Sequence, residues 1–213
     1  MFYRKASTEG LSPQFLEQDV AKSLKHSLTK EDLKLKYGNL PENSPQYVHF
    51  RDYIPRLSTS SSVTIEGVKN GENPDFTTMW ADVGFSLATV SIPLWLKGGE
   101  KIAEIVAFDP YLMNSPICNA ALILKNKRIL NIRWGGSDRF YIDINAIYNS
   151  DNTGIIQKLR SYENHVYEKA GELINGWRQK GSVDRNDIRS FYKWVDGYVT
   201  NAYREEFNIE MMR

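Results

Sequence analysis

Phe15, Leu16, Val20, Leu24 and Leu28 recur at helical, four- to five-residue spacing behind Ser12-Pro13. A serine N-cap with proline at the first helical position opens a helix, so the spacing predicts an amphipathic helix over 13–28. Thr29-Lys30-Glu31-Asp32 has capping-box spacing, with Asp32 in the usual glutamate's place, and predicts a second short turn. Gly, Asn, Pro and Ser between Tyr37 and Pro45 mark a surface connection. The pattern then changes period. Ser60 to Val68 alternates, Val63 and Ile65 on one face and Thr64 and Glu66 on the other, which predicts a half-buried strand. Lys69-Asn70-Gly71-Glu72-Asn73-Pro74-Asp75 is a dense turn signal, and Phe76 to Val83 resumes β-prone residues, giving a hairpin with a long loop. Phe85 to Leu96 is apolar on both faces, the pattern of a strand covered on both sides, and Pro93 ends it, bends it or puts it at an edge.

Pro116 to Lys125 reads as a short helix starting at Ser115, while Phe140 to Ile147 fits strand or helix equally. From about 153 to 179, Ile155, Ile156, Leu159, Tyr162, Val166, Ala170, Leu173, Ile174 and Trp177 form a helical stripe. Gly181 is a helix stop and Ser182 or Asp184 a new cap. Ile188, Phe191, Tyr192, Val195, Val199, Ala202 and Tyr203 mark a last helix over 184–206, so the two form an αα-hairpin. Strands and helices are segregated along the chain, which predicts α+β over a doubly wound sheet.

The 213 residues suit a single domain over 1–213, and their 27 basic and 26 acidic side chains leave a formal charge of +1. That balance gives no field for nucleic acid or an anionic membrane, and no apolar run approaches the roughly 20 residues that span a bilayer. Met1-Phe2-Tyr3-Arg4-Lys5 has no apolar signal core behind it. One cysteine, Cys118, excludes an internal disulfide, and with the isolated His26, His49 and His165 it cannot supply a zinc set, so no metal is expected. Gly98-Gly99 and Gly135-Gly136 lack the lysine of a P-loop and the spacing of a dinucleotide fingerprint; they read as turn glycines, and no cofactor is expected. The small and apolar neighbours of Cys118 read as core packing rather than a nucleophile's surroundings. Glu66 and Asp82 would face one another across the hairpin, which a solvated sheet face explains as well as a carboxylate pair does. Arg56, just ahead of Ser58-Thr59-Ser60-Ser61-Ser62, suits an anionic ligand or a polarised carbonyl; a capped loop with a surface arginine is the plainer reading.

Phe2-Tyr3-Arg4-Lys5-Ala6, Gly10-Leu11-Ser12-Pro13-Gln14-Phe15-Leu16 and Tyr53-Ile54-Pro55-Arg56-Leu57-Ser58-Thr59-Ser60-Ser61 resemble the second half of N-terminal-nucleophile (Ntn) amide hydrolases. The branch they resemble most is the acyl-coenzyme A:6-aminopenicillanic acid acyltransferase-like group, kin to the choloylglycine hydrolases. Thr77-Thr78-Met79-Trp80, Gly84-Phe85, Val90-Ser91-Ile92-Pro93-Leu94-Trp95, Ser115-Pro116-Ile117-Cys118, Gly154-Ile155-Ile156-Gln157-Lys158-Leu159 and Glu163-Asn164 extend the resemblance over most of the chain as scattered short matches. It implies a four-layer αββα sandwich, of which this chain would be a partial one with an antiparallel sheet and a C-terminal αα-hairpin. It also implies cleavage or transfer of the acyl group of a linear amide, a small acylated substrate, by an N-terminal cysteine whose α-amino group is the base.

The chain departs from that pattern where the nucleophile should be. Met1 stands first, its removal would expose Phe2, and the single cysteine lies near the middle. No catalytic residue is therefore expected in this chain, and only Arg56 carries over, as an arginine bordering the acyl pocket. The expected function is the C-terminal portion of a linear-amide hydrolase or acyltransferase, inactive alone. The alternatives are a non-catalytic binding module derived from that fold and an unrelated α+β enzyme. Because Phe85 to Leu96 is apolar on both faces with few strands to cover it, the chain is expected to associate, with a nucleophile-bearing first half or with itself. Otherwise the tail helices fold over the sheet and close the core.

Overall fold

The computed structural model describes residues 11–130 and 140–211. The matches Phe2-Tyr3-Arg4-Lys5-Ala6 and Gly10, the leading Met1-Phe2-Tyr3-Arg4-Lys5 and the Gly135-Gly136 pair lie outside the described residues. Ser12 Oγ accepts the Phe15 N–H at 3.1 Å and opens α1 (Pro13–Phe15), as the cap signal predicts. The helix then widens into a π-helical segment, Leu16–Ala21, and stops at Lys22 rather than at 28. A π turn closes i→i+5 bonds, so every residue after it is rotated relative to the α-helical stripe. Glu17 and Gln18 are consequently buried, while Phe15, Leu16 and Val20 are only half-buried. Leu24 is buried beyond the helix, beside an isolated bridge from Lys25 to Asp32, and Leu28 is 79% exposed. The following short helix, α2 (Leu33–Tyr37), is capped by Asp32, whose carboxylate accepts the Lys34 N–H at 2.9 Å.

Five strands form two antiparallel sheets among the described residues. β1 (Tyr47–His49) pairs with β5 (Tyr141–Asp143), which resolves the Phe140 to Ile147 segment as strand at its start. The main sheet has the order β2-β3-β4, with β2 Ser61–Glu66, β3 Thr78–Val83 and β4 Ile92–Trp95. Of the segment from Phe85 to Leu96 only Ile92–Trp95 is strand; Ser86–Ala88 is a 3-10 turn and Leu96 opens another. The burial expected of that segment is real, since Phe85, Leu87, Val90 and Ile92 are each at most 1% exposed. Pro93 sits on an edge strand opposite Trp80, where its missing N–H costs the ladder nothing on the outer side.

Ser115 caps α3 (Pro116–Leu124), which continues as a π-helical segment, Lys125–Ile129. α3 packs on Gly84: with φ at +99° and a hypothetical Cβ falling 2.9 Å from Ala121 Cβ and 3.0 Å from Cys118 Cα, that position takes glycine. The tail is the expected αα-hairpin, α4 (Ile155–Lys180) and α5 (Arg185–Phe207), turned by Gly181 at φ +73° and restarted by the Asp184 cap. Strands, then a helical hairpin, make the chain α+β.

The hairpin covers one face of the main sheet. Trp95 is the centre of that contact: its ring lies 5.1 Å from Trp177 and 5.2 Å from Phe191, both edge-on. Its polar groups are matched as well, Nε1 donating to Thr78 Oγ1 at 2.9 Å and the backbone N–H to Tyr192 OH at 3.0 Å. Strand register sorts the remaining side chains by alternation. Ser62 and Asp82, Thr64, Trp80 and Pro93, and Glu66, Thr78 and Trp95 share the hairpin face. Val63, Ala81 and Ile92, and Ile65, Met79 and Leu94, form two apolar rungs on the opposite face. Thus β2 lies the other way round from the amphipathic expectation: Val63 and Ile65 are 52% and 68% exposed, while Thr64 and Glu66 turn inward.

Candidate functional site

The hairpin face of the sheet holds a charged cluster in its interior. Lys22, just past the π-helical segment, is 3% exposed; Asp82 on β3 and Glu163 on α4 are 0% and 3% exposed. Lys22 Nζ forms a short ion pair with Glu163 Oε1, donates to the Thr89 carbonyl at 3.1 Å and lies 3.5 Å from Asp82 Oδ2. Glu163 also accepts the Ser91 N–H at 3.0 Å and Gln18 Nε2 at 2.9 Å. Ser91 Oγ hydrogen-bonds Asp82 Oδ1, and the buried Glu17 carboxylate accepts Thr64 Oγ1. The first helical segment, β2, β3, the loop before β4, and α4 thus converge on one set of charges.

Burial lowers the proton affinity of Lys22, but Asp82 and Glu163 outweigh it and hold the ammonium above its ordinary value. Burial pushes Glu163 up, yet the charge and hydrogen bond of Lys22 and the Ser91 N–H bring it below the usual carboxylate value. Asp82 goes the other way, to about 7, because burial and the neighbouring Glu163 and Glu17 exceed the pull of Lys22 and the Ser91 hydrogen bond. One ionised pair with a proton-holding aspartate beside it is what one buried cation can support. With Ser91, Asp82 and Glu163 closed to solvent, the cluster cross-links elements and has no opening for a substrate.

A cavity of about 350 Å³ lies beside the cluster, between α1, the β2–β3 edge and α4. Tyr167 belongs to its wall through a ring stacked on Trp80, centroids 4.2 Å apart. Asn164 joins the two sites: it lines the cavity and accepts Gln18 Nε2 at 2.9 Å and Gln14 Nε2 at 3.1 Å. Glu66, Glu168 and Arg178 supply charge at the rim, and Gly171 leaves the α4 side open.

Arg56 is in neither place. It is exposed and lines an open groove of about 470 Å³ with Phe50, Arg51, Asp52, Leu57, Ser58 and Phe140. Of the hydroxyl run only Ser58 lines that groove; Ser61 and Ser62 have entered β2. Glu66 and Asp82 do not face each other, because Glu66 is opposite Thr78 and Asp82 opposite Ser62, about 13 Å apart along the ladder. Cys118 is half-buried in the first turn of α3, its N–H on Ser115 Oγ at 3.3 Å, rather than fully in the core. His26 accepts the N–H groups of Leu28 and Thr29 at 3.2 and 3.1 Å; His49 and His165 are exposed. Among the described residues no three His, Cys, Asp or Glu side chains gather where a metal ion could sit, and no helix is long and apolar enough to cross a membrane.

The charged cluster was not anticipated from sequence. Glu17, Gln18 and Lys22 occupy the polar stripe of an apparently ordinary amphipathic helix, and a π turn leaves no sequence mark that would reverse it. Glu163 offered a faint signal, as a lone acid inside the apolar stripe of α4 between Leu159 and Val166. Comparison with protein-family models, with curated proteins and with solved structures finds no match for this chain.

Proposed function

We propose that this chain is the C-terminal portion of an Ntn-type hydrolase or acyltransferase of linear amides, inactive by itself and completed by a nucleophile-bearing half. The observation that carries the reading is the sheet face turned away from the helical hairpin. On it, Val63 is 52%, Ile65 68% and Met79 37% exposed, while Ala81 and Ile92 toward β4 are already buried within the chain; neither rung carries a polar side chain. One helical layer on one sheet whose outer face is apolar and open along β2 supports the reading of half an αββα sandwich, which a second sheet would close at about 10 Å spacing. Among the described residues β2 is an edge strand beside the open end of the rungs, where an added strand would pair with it.

The described residues fit a supporting rather than an attacking role. Cys118 lies at a helix start with its N–H on Ser115, and the buried Ser91 is held by Asp82. In this reading Arg56, on its open groove, borders the acyl pocket and donates to the acyl carbonyl or a substrate carboxylate. The acyl-amide substrate would bind across the two halves.

The test is amine release from a panel of N-acyl amides by the purified chain, followed with and without an added nucleophile-bearing half. No turnover by the chain alone is expected. Turnover that disappears in Cys118→Ala would overturn the reading, since the chain would then carry its own nucleophile.

A further inference from the structure

We propose that the turn from His26 to Glu31 is an acid-sensitive catch on the wall of the Arg56 groove, closed by neutral imidazole and opened by imidazolium. Two backbone amides are aimed at one ring nitrogen. The Leu28 and Thr29 N–H groups both donate to His26 Nδ1, at 3.2 and 3.1 Å. The backbone fixes where an amide hydrogen lies, so two donors here require a lone pair on Nδ1, with the ring proton on Nε2. A protonated ring carries an N–H at both nitrogens and accepts neither amide.

The arms of the turn are fixed and its tip is not. Leu24 and Leu33 anchor the arms in the core, joined by the Leu33 N–H on the Leu24 carbonyl at 3.1 Å. The His26 N–H on the Glu31 carbonyl, at 2.7 Å, closes the next pair. Beyond it Ser27 to Lys30 are exposed, and Lys30 stands at φ +63°, left-handed backbone that a non-glycine residue seldom adopts.

Ser27 connects this tip to the groove. Its N–H and Oγ both meet the Asp52 carbonyl, at 3.5 and 3.2 Å. The His26 ring meets Tyr53 edge-on with centroids 5.2 Å apart, and Tyr53 stacks on Phe50 at 4.4 Å. Asp52 and Phe50 line the groove with Arg56. Releasing Leu28 and Thr29 from Nδ1 therefore loosens the neighbouring Ser27 from the groove wall.

Among the described residues, the charged and titratable groups on the elements around the ring are Lys25, Lys30, Glu31, Asp32, Lys36, Tyr37, Asp52 and Tyr53. Lys30 is on the Ser27 carbonyl, Glu31 is paired with Lys36, and Asp32 caps α2 at Lys34. Burial holds the Tyr53 phenol above its ordinary value, Glu31, Tyr37 and Asp32 adding to it against Lys36, so the ring that His26 touches stays neutral. These groups set the pH at which the imidazole takes its proton. They do not alter the outcome, because an N–H cannot accept an amide whatever charge stands near it. The catch stands on this geometry; that it would gate an acyl pocket rests on the proposed role of Arg56.

The experiment is an NMR titration of the isotope-labelled full chain, without substrate, from about pH 8 to about pH 5, the range in which histidines change charge. The ring nitrogens of His26 report tautomer and protonation directly. Expected are a bare Nδ1 at the alkaline end and Ser27, Leu28, Thr29 and Tyr53 amide signals that move with the midpoint of the ring. Amide exchange at Leu28 and Thr29, relative to the intrinsic rate at each pH, is expected to quicken about tenfold across that midpoint, as suits the loss of a hydrogen bond at each. His26→Asn places an acceptor oxygen where Nδ1 stood and takes up no proton, so Leu28 and Thr29 should show no transition in it. His165→Asn should leave the transition unchanged. A proton on Nδ1 at the alkaline end, Leu28 and Thr29 signals that stay put while the ring titrates, or a full transition in His26→Asn would each overturn the catch. Tyr53 and Phe50 signals indifferent to the ring would overturn its link to the groove. None of these readouts involves turnover, so a failed catch leaves the amide-hydrolase reading standing, and inactivity toward amides leaves the catch standing.

Discussion

The C-terminal helices and the N-terminal pair of helical segment and strand are both amphipathic in sequence, and they face the interior in opposite senses. α4 and α5 bury Leu159, Val166, Ile174, Trp177, Val195 and Val199, the stripe their spacing predicts. The π-helical segment Leu16–Ala21 and β2 instead turn Glu17, Gln18 and Thr64 inward and leave Val63 and Ile65 outside. An amphipathic element has two faces, and periodicity identifies them without saying which one the core takes. For the hairpin, large apolar area settles the matter. For the N-terminal pair, the buried cluster around Lys22 takes the polar face, and the apolar face of β2 remains for something else to cover.

The largest effect that would break this contrast lies on the hairpin side. Trp95→Ala removes an indole in contact with Trp177 and Phe191 and takes away the donor to the Thr78 hydroxyl, which keeps only its bond to the Phe76 carbonyl. A loss of about 3–5 kcal/mol is expected, read from urea denaturation. If Trp95→Ala costs under about 1 kcal/mol, the apolar sheet–hairpin contact is not what stabilises this part of the fold.

The charged side answers to pH. Asp82, with its folded value raised to about 7, binds a proton more tightly folded than unfolded, so its contribution is full below its ordinary value and fades as pH rises through about 7. Glu163, with a lowered value, contributes above its ordinary range and loses that contribution on acidification. The contribution of these two groups should therefore be greatest near about pH 4 and fall by a few kcal/mol, in order of magnitude, by about pH 7, levelling off above it. Asp82→Asn keeps a hydrogen-bonding partner for Ser91 and has no charge to bury, so it should flatten the alkaline limb. Denaturation midpoints at pH 5, 6, 7 and 8 for both proteins check this; an unchanged limb in Asp82→Asn would mean that Asp82 is not the group that titrates.

The legible parts of the fold were those governed by local rules. Ser12, Ser115 and Asp184 cap the helices they were expected to cap, Gly181 ends α4, and the hairpin stripe is the buried one. What sequence missed depended on contacts between distant residues. Glu163 and Lys22 are 141 positions apart, and no spacing rule joins them. The π turn after Phe15 has no composition signal, so the helix was expected to run to 28 with Lys22 on its solvated side. The apolar run from Phe85 to Leu96 is buried as expected through Trp95 while Leu96 is 87% exposed, and an all-round apolar stretch does not distinguish strand from the turn that Ser86–Ala88 forms. Arg56 stood out by its hydroxyl-rich neighbours and lies on a surface groove, whereas the cavity near Arg178 draws on α1, β2, β3 and α4 and had no contiguous motif.

The smallest change in folding energy bears on the largest architectural claim. Ile65 is 68% exposed, so replacing it with lysine removes little buried area and should alter stability by no more than about 0.5 kcal/mol. If the outer sheet face is an interface, however, that lysine falls at the open β2 end of the Ile65–Met79–Leu94 rung, where an ammonium group would have to be desolvated against a second layer. The wild-type chain is expected to sediment as an associated species at micromolar concentration, or to bind a nucleophile-bearing half. Ile65→Lys is expected to sediment as a monomer of unchanged thermal stability and to lose binding to that half. A lysine on the hairpin side of the same strand, Thr64→Lys, separates interface from fold: facing the buried Glu17 carboxylate, it should perturb stability without selectively dissociating the complex. A wild-type chain that stays monomeric at those concentrations and binds no added half would show that the exposed Val63, Ile65 and Met79 are tolerated bare, and the contrast between the two ends of the chain would then lie in the charged cluster alone.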